Sequence, residues 1–195
     1  MKKVKISIKG NEFLIPSENI QKCSYDNETY VYMRAKLCAS IIKQYVKKNF
    51  PNLKVWAGSD VYSGGSSVRV EVCNEDGSQV NPIDFEKISE WKSILQGGSF
   101  DGMYDIYNYR EDSPATDKGT SMKYFPSYVF IENKPKWGSV EYWINSYNEY
   151  KENISNPNWS EMVNKINNKF GGSFLEYNKT YMTKREYDNC SKVLS

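Results

Sequence analysis

The 195-residue chain contains no histidine. That removes the histidine general base, the Ser-His and Cys-His nucleophile pairs, and every histidine metal ligand. The four cysteines, Cys23, Cys38, Cys73 and Cys190, lie far apart with no C-x-x-C spacing, so neither a zinc site nor any other metal site is expected. Reduced thiols are the simpler expectation. No apolar run approaches the ~20 residues that cross a bilayer, so no membrane partner is expected. Met1-Lys2-Lys3 leads into an alternating pattern rather than the apolar run of a secretory leader, which favours a cytoplasmic setting. No cofactor is implied.

What is abundant is tyrosine, 16 residues against 8 phenylalanines and 5 tryptophans. Charge is split along the chain. Residues 1–54 carry 11 basic and 4 acidic side chains, residues 55–120 carry 5 and 12, and the remainder 10 and 8. Such asymmetry bears on association more than on fold.

The periodicities predict an α+β fold. Tyr30, Met33, Leu37, Cys38, Ile41, Tyr45 and Val46 share one face of a long amphipathic helix that ends near Asn49, ahead of Phe50-Pro51. Lys54 to Tyr62 reads as a strand, Ser63 to Ser66 as a tight turn, and Ser67 to Cys73 as a second strand. In that strand Val68, Val70 and Val72 alternate with Ser67, Arg69 and Glu71, so the helix is expected to cover the valines. An N-terminal hairpin is expected from Lys3 to Pro16, joining the central hairpin in one antiparallel sheet. Ser17 to Glu28 reads as a loop with a helical turn near Glu18 to Lys22. Asn81 caps a helix with Pro82 at its first position. Glu111 to Ser121 reads as a mobile loop, and Tyr124 to Ile131 as a strand. Capped helices are expected at Ser139 and at Asn158-Trp159-Ser160-Glu161, then a strand at Phe174 to Tyr177 and a short helix from Lys184. The expected organisation is an α+β core domain over residues 1–135, with a helical C-terminal extension over 136–195 packed on it.

Three groups of residues are candidates for function. Lys36, Lys43 and Lys47 lie on the polar face of the long helix and can contact phosphates, or simply be its solvated side. Tyr104, Tyr107 and Tyr109 can stack on bases or anchor a protein partner, or fill the core. Asp101 and Asp105, four apart beside Gly102, can do acid–base work or hold a divalent cation, although a tight turn at Asp101-Gly102 capped by Asp105 is the simpler reading.

Phe50-Pro51, Tyr62 to Ser66, Asp76-Gly77 and Gly98 to Asp105, with Tyr128 to Phe130 as a further match, resemble the large polyvalent protein-associated domains of phages and conjugative elements. The resemblance spans Tyr30 to Ile131. It implies a mobile-element origin and action inside a bacterial cell, and it carries over no catalytic residue. The expected function is a non-catalytic phage or mobile-element protein that binds a host-defence protein or nucleoprotein complex, as an anti-CRISPR inhibitor does. Two alternatives stand beside it: a nucleic-acid-binding accessory protein using the basic helix face, and an unrecognised enzyme using Asp101 and Asp105. A virion or cargo component is a further possibility.

Overall fold

The computed structural model describes residues 2–104, 106–112 and 114–194. The fold is α+β. The chain divides into two compact units, one of residues 1–72 and 80–133, the other of Cys73–Gln79 and Lys134–Ser195.

In the first unit, β1 (Lys3–Ile8) and β2 (Asn11–Pro16) form the N-terminal hairpin. A 3-10 turn at Ser17–Asn19 leads into β3 (Ile20–Lys22), which pairs antiparallel with β4 (Thr29–Tyr32). Helix α1 (Ala35–Asn49) is followed by β5 (Leu53–Tyr62) and β6 (Gly65–Asn74), neighbours in one sheet joined at Ser63-Gly64. Gly64 takes φ +87°, a conformation open to glycine at little cost. Helix α2 (Pro82–Leu95) begins as expected: the Asn81 side chain accepts the Asp84 N–H at 3.0 Å. A small hairpin of β7 (Gly98–Asp101) and β8 (Ile106–Tyr109) comes next, then β9 (Ser121–Lys123) and β10 (Tyr128–Asn133).

The valine row carries the core. Val68, Val70 and Val72 are all but sealed from solvent, at 0–1 % exposure, in one cluster with Leu37, Cys38, Ile41 and Val46 of α1 and Ile88, Trp91 and Leu95 of α2. Helix α1 packs on β5, and α2 on β10. Cys38 behaves as a small hydrophobe: its thiol donates to the Met33 carbonyl at 3.2 Å, and burial pushes its pKa far up.

Several expectations are corrected. The two hairpins do not share a sheet: β1–β2 stands alone, and the central hairpin extends to β10 in the order β10-β6-β5. The edge of β2 is occupied by α1 instead, where the Gln44 side-chain amide accepts from Leu14 N–H at 2.9 Å and donates to Leu14 C=O at 3.1 Å. The long helix starts at Ala35, not Tyr30. Tyr30-Val31-Tyr32 is rich in strand formers and pairs on both sides, antiparallel to β3 and parallel to β9, and this outweighs the accidental helical spacing of Tyr30 and Met33. The stretch Ser17 to Glu28 accordingly contains a strand. The expected mobile loop is anchored: Asp117 Oδ2 accepts from Ser7 Oγ at 2.5 Å and Gly10 N–H at 2.8 Å, and residues 121–123 form β9. The strand expected from Tyr124 starts only at Tyr128, because Tyr124 takes φ +62° and Pro126 has no N–H to donate.

In the second unit the turn after β6 is held by Asp76, whose Oδ1 accepts the Ser78 N–H at 2.9 Å. Helices α3 (Val140–Glu152), α4 (Ser160–Phe170), α5 (Phe174–Asn178) and α6 (Lys184–Leu194) surround Tyr150, Val163, Ile166 and Phe174. Ser139 caps α3 as expected. Two readings fail here. Residues Pro157–Trp159 form a 3-10 turn capped by Asn156, so α4 starts without the reciprocal Asn–Glu cap. Phe174 to Tyr177 is helical, because Ser173 accepts the Glu176 N–H at 3.3 Å and starts a turn where a strand was expected.

The valine row gives the first test. Val70→Ala removes two methyl groups from a sealed site and should cost roughly 2 kcal/mol. Urea denaturation of the first unit should show a lower midpoint with an unchanged slope.

Candidate functional site

At one side of the first unit, separate stretches of chain enclose an open cleft of about 540 Å³. Tyr32 ends β4, Arg34 is the residue before α1, Gly64 lies in the central turn, and Gly65 and Ser66 start β6. Tyr107 and Tyr109 come from β8, Arg110 follows it directly, and Tyr124 and Phe125 come from the segment between β9 and β10.

Local chain geometry explains each wall. Tyr107 and Tyr109 are two apart on one strand, so their rings share a face, 5.0 Å apart. Gly98, opposite in β7, permits that hairpin: a Cβ there would sit 2.1 Å from the Asn108 carbonyl oxygen. Tyr107 also meets Tyr128 at 5.6 Å, and its hydroxyl donates to the Ser127 carbonyl at 2.5 Å. On the other side Tyr124 packs against Tyr30 at 5.7 Å and Tyr32 at 5.2 Å. Positive φ is uncommon for a bulky residue and is strained. It nevertheless leaves the Tyr124 ring 64 % exposed, and Tyr109 is 77 % exposed.

The charged groups differ in freedom. Arg110 is fully engaged: it grips Asp112 with two contacts of 2.6 and 2.7 Å, donates to the carbonyls of Ile94 and Gln96, and lies 4.8 Å from the Phe125 ring centre. Its contact holds the Asp112 carboxyl below the usual carboxylate range. Arg34 sits 5.4 Å from the Tyr32 ring and 3.7 Å from Glu18, a loose ion pair between exposed groups. Among the described residues, Arg34 and Arg110 are the charged groups in the lining, and no carboxylate joins them. Beside the cleft, Lys123 donates to Glu28 at 2.6 Å. The hydrogen bond from Lys123, and next that from Ser121, holds Glu28 below its usual range, and Lys123 is raised in return.

The candidate residues named from sequence part company. Tyr107 and Tyr109 line the cleft, while Tyr104 is exposed on the turn of the β7–β8 hairpin and does not. Asp101 Oδ1 accepts the Met103 N–H at 2.9 Å, the geometry of a capped turn. Asp105 lies outside the described residues. Lys36, Lys43 and Lys47 follow the open side of α1, with Lys36 and Lys47 exposed and Lys43 half-buried, and none of them lines the cleft. Among the described residues no three potential metal ligands cluster, and no helix is long and apolar enough to cross a membrane. Sequence reasoning missed Tyr32, Arg34, Arg110, Tyr124 and Phe125. Arg110 was within reach, since it follows the tyrosine strand directly.

Burial, and then the neighbouring hydroxyls of Tyr128 and Tyr109, push the Tyr107 pKa up to about 12. The fold thus favours the neutral phenol. That stability is whole below the ordinary value of 10.0 and is lost as pH rises through about 12. Tyr107→Phe should cost about 1 kcal/mol at neutral pH through the lost hydrogen bond. Denaturation midpoints measured at stepped alkaline pH should also fall less steeply in the variant than in the parent.

Comparison with known families matches the chain to large polyvalent protein associated domain 29 over residues 33–142. No curated protein and no solved structure matches the chain. The matched span runs from just before α1 into the start of α3, and it includes Arg34, Tyr107, Tyr109, Arg110 and Tyr124 of the cleft. With more than half its length matched, the chain belongs to the large polyvalent protein associated domain 29 family.

Proposed function

We propose that this phage or mobile-element protein is a non-catalytic binding protein, that its working surface is the aromatic cleft, and that its target in the bacterial host is a defence nucleoprotein complex of the CRISPR-effector kind. Membership of the family supports the mobile-element origin. The observation that carries the binding role is the exposure of Tyr109 and Tyr124 in one open cleft. Large rings left in water at a concave site are costly for a monomer and serve as anchors when a partner covers them. The polar groups around them are occupied in holding the walls: Asp101 caps a turn, Arg110 is clamped by Asp112, and Tyr107 donates to a carbonyl.

Affinity capture from host lysate with its nucleic acids intact, repeated after nuclease treatment, tests this. The parent should retain a stoichiometric partner, and the double variant Tyr109→Ala, Tyr124→Asn should lose it. Asparagine tolerates positive φ, so the second change removes the ring without adding strain. Clean failure with a folded parent, or full retention by the variant, counts against the proposal.

One observation favours a second reading, in which the protein is a nucleic-acid-binding accessory. Lys36, Lys43 and Lys47 recur at helical spacing on the open side of α1. Binding through that face should fall steeply with salt, and Lys43→Glu with Lys47→Glu should abolish it. Filter binding at rising ionic strength decides the matter, and salt-insensitive binding removes the idea.

A further inference from the structure

We infer that the cleft takes a nucleotide unit of a single-stranded nucleic acid. The inference rests on the proposed reading of the cleft as the working surface, and it names what that surface holds.

The size fits. About 540 Å³ is within the range of small-molecule sites and suits one base with its sugar and phosphate. The chemistry fits as well. Tyr109 and Tyr124 present exposed rings, the groups on which unpaired bases stack. Among the described residues the lining holds two arginines and no carboxylate. Arg110 is held rigidly by Asp112, which offsets its charge, whereas Arg34 has only a loose ion pair and can turn its guanidinium onto a phosphate. The backbone of Gly64 and Gly65 forms part of the wall, and at Gly64 nothing lies within 4 Å of where a side chain would start, so a ligand can approach the chain closely there.

The strand must be single. In a duplex the base faces are stacked and paired, and the rings of the cleft cannot reach them. The strain at Tyr124 adds to this. Tyr124 is held at φ +62° and stays mostly exposed despite its contacts with Tyr30 and Tyr32, and strained residues of this kind gather at ligand clamps.

One loosely paired arginine implies a shallow salt dependence. With one or two phosphates engaged, the logarithm of affinity should fall against the logarithm of salt with a slope of about −1. That separates the cleft from the lysine face of α1, whose dependence should be steeper.

Fluorescence anisotropy with short fluorescein-labelled oligothymidylate and oligouridylate, a duplex of equal length and free uridine monophosphate tests the inference. Single strands should bind, with the duplex and the mononucleotide at least about tenfold weaker. Tyr109→Ala should weaken single-strand binding by about tenfold. Tyr124→Asn should do the same, and both variants should keep the parental circular dichroism. Arg34→Gln should weaken binding and flatten its salt slope, and Lys43→Glu with Lys47→Glu should leave both unchanged. Absence of single-strand binding overturns the inference, as does equal binding of the duplex or of the mononucleotide. So does sensitivity to the lysine pair with indifference to Tyr109→Ala. If oligonucleotides fail to bind while a partner is still captured from nuclease-treated lysate, this inference falls and the broader binding role stands.

Discussion

The contact on which the first unit depends is the seal between the valine row of β6 and the helices α1 and α2. Val68, Val70 and Val72 have no exposure, or almost none, and Ile41, Ile88 and Leu95 close over them. Burial of this kind is non-directional and large in sum. It also fixes the register of the sheet, since a slip of one residue would put Arg69 and Glu71 inside. The parallel register of β10 on β6 then sets Val129 inward and Phe130 outward, and so the position of the chain that leads into β10 through Tyr124 and Phe125.

A sheet sealed on one side leaves its other side and its connecting segments available. Here those segments are rich in tyrosine, and several are tied by main-chain and amide hydrogen bonds. Gly97 N–H donates to the Pro126 carbonyl and Arg110 N–H to the Gly97 carbonyl, each at 2.8 Å. The Gln96 amide donates to Gly98 C=O at 2.6 Å and accepts from Val129 N–H at 3.0 Å. Residues that line the cleft are therefore held from behind by a hydrogen-bonded frame, with ring contacts from Tyr107 steadying Tyr109 and from Tyr30 and Tyr32 steadying Tyr124. Such support is what a recognition surface requires.

Local patterns in the sequence foretold local structure. The alternation of valines, the Asn81-Pro82 start of α2 and the Ser139 cap are short-range signals, and each appears where the residues indicate. What escaped is non-local. Nothing around Ser121 to Lys123 announces a strand, because β9 exists only by pairing in parallel with β4, far away in sequence. Tyr30 to Tyr32 was drawn into a helix by a spacing that partners on both sides override. The cleft is the extreme case. Tyr107 and Tyr109 were visible as a tyrosine strand, but Tyr32, Arg34 and Tyr124 join them only through tertiary pairing. Asp101 is the contrary case, a local reading that holds: the turn expected at Asp101-Gly102 is there, with the carboxylate accepting the Met103 N–H.

The parallel partnership of β6 and β10 also governs the order in which the protein can be made. During synthesis β6 emerges with one of its edges bare, and residues 75–127 must be threaded before Tyr128–Asn133 can close it. Until then a row of unpaired amides lies open to strands from other nascent chains. A product truncated before Tyr107 would lack three of the tyrosines that line the cleft, and any product truncated in that interval would retain an adhesive flank in place of a finished sheet.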